Sequence, residues 1–210
     1  MSTLFLTSNF FSVATAINGL LDPSLRRSRA LFITTAAEAE VGDKTWLNDD
    51  RQALRGLGFE VSDYTLTGKT VEDFSNDLAD IHVVLVSGGN VFYLLEKAQE
   101  SGFISFIQDF VSKPGNIYIG SSAGAVITGP DIQPFAVLDS PSAAPHLRNT
   151  KGFCFTDLTL FVHWGSENFK QAYLQGMETI YQEVGKSVLL TNQQFLHLND
   201  GVYSIYHVGL

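Results

Sequence analysis

The sequence predicts an α/β protein with a mostly parallel sheet covered by helices on both faces. Three observations predict it. Short apolar runs of strand length alternate with segments of helical spacing as far as Gly124. One run, Ile81 to Val86, is apolar except for His82 near its start, as a strand buried on both faces must be. Another, Ile117 to Ile119, passes through Gly120-Ser-Ser-Ala-Gly124, a G-x-S-x-G pattern, into a further apolar segment beginning Ala125-Val126-Ile127.

The elements follow in order. Thr3 to Thr7 reads as a strand, and Val13 to Leu21 as a helix stopped by Asp22-Pro23. Ala30 to Thr34 is a second strand, and Asp43 to Leu57 a helix with Trp46, Leu47, Leu54 and Leu57 apolar, closed by Gly58. Phe59 to Leu66 forms a third strand region and Thr70 to Leu78 a short helix. After Ile81 to Val86, the turn Gly88-Gly89-Asn90 leads into a helix from Val91 to Gln99, with Asn90 suited to cap it. Phe103 to Val111 is helical and ends at Lys113-Pro114-Gly115. Beyond the G-x-S-x-G helix, Gly129 to Thr150 is proline-rich with little periodicity and reads as a long surface loop. Leu158 to Val162 is a strand ending at His163, Phe169 to Val184 is helical, and Ser187 to Thr191, Gln194 to Leu198 and Val202 to Val208 read as strands.

The 210 residues suffice for one domain with a full core. A net charge of −9, with no basic run beyond Arg26-Arg27, argues against nucleic acid and anionic membrane as partners. The acidity does not repel a cationic substrate. The single cysteine, Cys154, excludes an internal disulfide, and its setting in Gly152-Phe-Cys-Phe155 predicts buried filler. The start, Met1-Ser-Thr-Leu-Phe-Leu, lacks the pattern of a signal peptide, and no apolar run reaches the ~20 residues of a membrane span, so a cytoplasmic protein is expected. The scattered histidines lack metal-ligand spacing; neither metal nor cofactor is expected.

In G-x-S-x-G the sharp turn pushes the central residue, Ser122, into strained dihedrals and exposes its hydroxyl at the start of the next helix. A serine nucleophile needs a base and a group that orients the base. Of five histidines, His163 is the best candidate, since it ends an apolar strand, and strand C-terminal ends of a parallel sheet collect on the rim that bears the elbow. His82 faces the opposite rim, His197 and His207 sit in the terminal strand pair, and His146 is in the long loop. For the orienting acid Asp200, Glu167, Asp157 and Asp139 stay open. Oxyanion donors are expected from the amide of Ala123 and from the Gly88-Gly89-Asn90 turn, which lacks the spacing of a nucleotide-binding fingerprint.

Taken together, Val86-Ser-Gly-Gly-Asn-Val-Phe-Tyr-Leu-Leu95, Tyr118-Ile-Gly-Ser-Ser-Ala-Gly-Ala125, Val162-His163 and Asn199-Asp200-Gly201 resemble the peptidase E family of serine peptidases, which includes aspartyl dipeptidases and, more distantly, cyanophycinases. The resemblance covers nearly the whole chain. It implies a class I glutamine amidotransferase-like (flavodoxin-like) three-layer sandwich. It also implies Ser122 as nucleophile, His163 as base, Asp200 as the acidic third member, and the amides of Gly89 and Ala123 as the oxyanion hole. Gly88, Asn90, Arg148 and Glu167 are further candidates for substrate contact. The segment that carries an arginine and an Asn-Asp pair in aspartyl dipeptidases reads Pro130-Asp-Ile-Gln-Pro-Phe-Ala-Val-Leu-Asp139 here, without arginine, so strict selection of N-terminal aspartate is not implied. The expected activity is a serine exopeptidase acting on dipeptides or very short peptides. The alternatives are a hydrolase of another amide or ester on the same site, and a non-catalytic member that binds a small molecule or a protein. The expected partner is a short peptide substrate, and a homodimer is permitted.

Overall fold

The computed structural model describes residues 3–78 and 80–209. Met1 and Ser2, the start of the stretch read above for a signal peptide, lie outside the described residues. Seven strands form one sheet, β1 (Thr3–Thr7), β2 (Arg29–Ile33), β3 (Glu60–Tyr64), β4 (Val83–Val86), β5 (Ile117–Ser121), β8 (Gln194–Asn199) and β9 (Val202–His207), in the order β3-β2-β4-β5-β1-β8-β9. The first five are mutually parallel, and β8 and β9 run antiparallel as an edge hairpin.

Why the inner strands are apolar throughout is visible in their two faces. Successive side chains of a strand point to opposite sides. Leu4 and Leu6 of β1, Val84 and Val86 of β4 and Tyr118 of β5 enter one core. Phe5, Val83, Leu85, Ile117 and Ile119 enter the other. Helix α1 (Phe10–Asn18) and α2 (Thr45–Gly56) cover the second core through Phe10, Val13, Ile17 and Leu54. The first core is closed by α3 (Val71–Asp77), α4 (Val91–Ser101), α5 (Phe103–Ser112) and the long α7 (Glu167–Glu183), through residues such as Phe74, Leu95, Phe103 and Tyr173. The result is helix, sheet and helix, the three layers expected.

Four details differ from the sequence reading. The strand that ends at His163 does not join the main sheet: β6 (Thr159–Phe161) pairs only with β7 (Ser187–Leu189), as a separate parallel two-stranded sheet. The helix after the elbow, α6, is a single turn, Ala123–Val126. The stretch from Gly129 to Thr150 is not simply a surface loop. It contains two 3₁₀ turns, Gln133–Val137 and Pro141–Ala143, and buries Ile132, Phe135 and Ala144 against the first core. Cys154 is exposed rather than buried filler, because Phe153 and Phe155 turn inward onto Phe103 and Tyr118 and leave the residue between them outside.

The glycines of the elbow are dictated by contact. A Cβ on Gly124 would stand 2.1 Å from the carbonyl oxygen of Val86, and one on Gly120 would stand 2.4 Å from that of Gly124. The turn thus folds onto the end of β4 with no space for a methyl group. Because backbone has to yield, Gly124→Ala is expected to destabilise the fold by about 2–3 kcal/mol, seen as a fall in Tm of roughly 5–10 °C. An unchanged Tm would mean that the turn tolerates a side chain where the packing leaves none.

Candidate active site

The C-terminal ends of β1, β4 and β5 lead into a cavity of about 710 Å3. Ser122 stands at its base with φ 51° and ψ −112°, outside the regions an L-residue ordinarily occupies. The conformation is held by its amide, which donates to the Thr7 carbonyl at 3.0 Å, and by the single turn that starts behind it, where the amides of Ala125 and Val126 donate to the Ser122 carbonyl. Strain of this kind persists only where the surroundings impose it.

The hydroxyl of Ser122 meets His163 Nε2 at 2.9 Å. His163 is itself in the left-handed region, φ 57°. Its position comes from the small sheet. Leu190 N–H donates to the Phe161 carbonyl and Trp164 N–H to that of Leu190, so the chain beyond β6 stays beside the chain beyond β7. The buried hydroxyl of Ser8, just past β1, accepts from the His163 amide at 3.1 Å and donates to the Leu190 carbonyl at 2.8 Å. This serine ties the small sheet to the end of β1, beside the burial of Leu160 and Phe161 in the first core. The imidazole stacks on Phe169, ring centroids 4.5 Å apart.

The other ring nitrogen, Nδ1, faces Asn192 Oδ1 at 2.7 Å. An amide oxygen only accepts, so Nδ1 carries the hydrogen and Nε2 presents its lone pair to Ser122. Burial holds the His163 pKa below the usual imidazole value, with the Asn192 hydrogen bond acting in the opposite direction. The neutral form is favoured.

Asp200, expected to orient His163, is elsewhere. Because β8 runs antiparallel to β1, with Thr7 opposite Phe195 and Leu4 opposite Leu198, the β8–β9 turn lies beyond the N-terminal end of β1, while Ser121 stands opposite Thr7. The separation is at least four strand residues, roughly 13 Å. Asn192 took no part in the sequence reading. Like His163, it follows a short apolar strand, but only the pairing of those two strands as parallel neighbours singles it out.

Of the other expected residues, Gly88, Gly89, Asn90 and Ala123 all line the cavity. Gly88 lies against the serine, where an added Cβ would be 3.1 Å from Ser122 Cβ. Gly89, at φ 124°, has the carbonyl of Ala36 where a Cβ would go. Neither Gly89 N–H nor Ala123 N–H donates to any described residue. Arg148 is exposed and off the cavity, its amide bonded to Gln99 on α4. Glu167 has its side chain 82% exposed and pairs with Lys170, one turn along α7. Asp157 bonds Lys186 and Tyr203 at the surface. All three lie away from the cavity, and the side chains of Glu167 and Asp157 are engaged locally. Asp139 does line it, at the start of α4 rather than beside His163, accepting from Val91 N–H at 2.8 Å. No group of three or more metal-ligating side chains occurs among the described residues.

A strained serine on a strand–turn–helix elbow, hydrogen-bonded to a histidine whose other nitrogen is held by an acceptor, defines the α/β serine hydrolases as a class. Residues 2–206 match peptidase family S51, and the chain belongs to that family as a serine peptidase. It is 30% identical over 172 residues to an uncharacterized peptidase, Lmo0363, of Listeria monocytogenes, covering 81% of this chain and 82% of that one. To the peptidase E of Citrobacter koseri it is 36% identical over 108 residues, 51% of this chain and 44% of the relative. A crystal structure of a candidate peptidase E from Listeria monocytogenes superposes over the whole of both chains with a TM-score of 0.90 at 26% identity. A peptidase from an acI-B1 actinobacterium shares the fold, with a TM-score of 0.73 at 16% identity over 99% of this chain and 88% of that one. No helix among the described residues is long and apolar enough to cross a membrane.

Asp50, 4% exposed on the cavity wall, accepts from Phe11 N–H at 3.0 Å. Burial, the largest influence, pushes its pKa up to about 6 against an ordinary 3.8. The folded state therefore binds this proton more tightly than the unfolded chain. The group's contribution to stability is greatest below about pH 4 and declines as pH rises to about 6, by about 3 kcal/mol in all. Asp50→Asn keeps an acceptor for Phe11 and does not titrate. Urea unfolding is expected to show the variant gaining about 2–3 kcal/mol on wild type between about pH 4 and pH 7.5. A difference independent of pH would contradict the assignment.

Proposed function

We propose that the protein is a serine exopeptidase that hydrolyses dipeptides or very short peptides through an acyl-enzyme, with Ser122, His163 and Asn192 as its catalytic set. The observation that carries this is the 2.9 Å contact between Ser122 Oγ and His163 Nε2 at a strained elbow. Ser122 Oγ attacks the scissile carbonyl carbon while its proton passes to Nε2, which the Nδ1–H tautomer leaves free to accept. The Gly89 and Ala123 amides, with no acceptor among the described residues, receive the carbonyl oxygen as it gains charge. The C–N bond then breaks as Nε2–H protonates the leaving amine. Water, deprotonated by the same nitrogen, releases the acid and restores Ser122. Asn192 is a positioning residue: it fixes tautomer and ring angle but supplies no negative charge to the imidazolium.

That lack of charge distinguishes the amide from an aspartate and gives the test. Ser122→Ala is expected to lower kcat on a dipeptide panel by at least about 10⁴-fold without lowering Tm. Near-wild-type turnover would refute the nucleophile. Asn192→Ala is expected to lose about 10²-fold through misorientation of the ring. Because His163 must be neutral to act, wild-type kcat/KM should rise with pH through a value below 6.5. Asn192→Asp places a negative charge beside Nδ1 and should move that limb to higher pH. A limb that stays in place would remove Asn192 from the catalytic set.

A further inference from the structure

The cavity next to Ser122 is one-sided in charge. Glu40, Asp43, Asp50 and Asp139 line it, and no lysine or arginine among the described residues does. Lys44, the cation nearest the mouth in sequence, sends Nζ to the Ala37 carbonyl at 2.6 Å and is not part of the wall. Three of the acids have structural work that explains them. Asp50 accepts from Phe11 N–H in the first turn of α1, Asp43 from Thr45 N–H at the start of α2, and Asp139 from Val91 N–H at the start of α4. A helix terminus offers roughly half a unit of opposite charge, so capping leaves the cavity negative.

Glu40 has no such work. Its side chain makes no hydrogen bond or ion pair with any described residue, although it is only partly exposed. It terminates the 3₁₀ helix Thr35–Ala39, which packs on the Gly88–Asn90 turn through the contact of Ala36 and Ala37 with Gly89. Asp139 flanks the same turn from the other side, where Asn90 Nδ2 also donates to the Ser140 carbonyl. Burial raises the Asp139 pKa to about 6, and the negative charge of Glu40 adds to the rise. The second carboxylate oxygen of Asp139, Oδ1, takes no hydrogen bond from the described residues. Two like charges therefore bracket the proposed oxyanion turn without a cation between them. Val91, which Asp139 caps, is two residues from Gly89, within about 7 Å along the chain. That is within the reach of the side chain on the residue whose carbonyl is attacked.

We propose that the enzyme hydrolyses short peptides in which the residue contributing the scissile carbonyl is lysine or arginine, with Glu40 and Asp139 receiving its positive charge. The inference rests on the serine peptidase site proposed above and names its substrate class. An aspartate in that position meets like charge and no compensating base.

The test compares kcat/KM for Lys-Leu, Arg-Leu, norleucine-Leu and Asp-Leu on wild type, Glu40→Gln and Asp139→Asn, with fluorophosphonate labelling of Ser122 in each protein. Wild type is expected to prefer Lys-Leu and Arg-Leu to norleucine-Leu by about tenfold or more, roughly 1.4 kcal/mol, and to cleave Asp-Leu slowest. In Glu40→Gln the Lys-to-norleucine ratio should fall about tenfold, mainly through KM. Asp139→Asn retains an acceptor for Val91 N–H, and the ratio should fall there too. Labelled Ser122 with a ratio near one, with Asp-Leu fastest, with a ratio that neither variant changes, or with no dipeptide cleaved would overturn this inference and leave the serine hydrolase site standing. Failure of Ser122 to label in folded wild type would overturn both.

Discussion

Everything at the reactive end of this molecule depends on how closely one turn presses against the sheet. Gly124 meets the Val86 carbonyl, Gly120 meets Gly124, and the Ser122 amide is tied to Thr7, so the elbow is pinned to β4 and β1 at once. A turn fixed on two sides has little freedom to relax, and the left-handed conformation of Ser122 is the consequence. The inner strands, apolar on both faces, supply the rigid platform that this strain requires.

What could be read from the sequence is what local rules determine. Two-faced burial writes unbroken apolar runs, so the buried parallel strands were legible, while the exposed edge strand β3 showed only as part of a broader strand region from Phe59 to Leu66. The glycine spacing of the elbow is a steric requirement and identified Ser122 directly. His163 was found through the rule that reactive groups gather at strand C-termini, although its strand proved to belong to a separate sheet. The residue that holds His163 Nδ1 was not legible, because its location depends on strand direction and pairing. Asp200 sits in an Asn-Asp-Gly turn that looks equally plausible at either rim, and the antiparallel run of β8 carries it to the far one. Asn192 could be chosen only by knowing that β6 and β7 pair with each other. Cys154 shows the same limit at a smaller scale: its apolar neighbours suggested burial, but they alternate inward around it.

The carboxylates of the cavity illustrate how structural and recognition roles coincide. Asp43, Asp50 and Asp139 each satisfy amides at a helix start, a requirement any fold of this type must meet somehow. Serine, threonine or asparagine would meet it without charge, as Asn9 does for α1 and Asn90 for α4. The choice of acids at these positions gives the cavity its sign, and Glu40, whose side chain bonds no described residue, adds to it.

The separation of the reacting pair between two sheets has a mechanical consequence. The serine rides on a seven-stranded plate, while the imidazole and its amide partner ride together on a two-stranded one, and the Ser8 hydroxyl is a rivet between them. The histidine and asparagine owe their mutual alignment to the pairing of β6 with β7, which each of them follows. The reacting distance is therefore set by the packing between two sheets, where Leu160 and Phe161 share a core with Leu4 and Leu6, while the pairing of His163 with Asn192 is set within the smaller one.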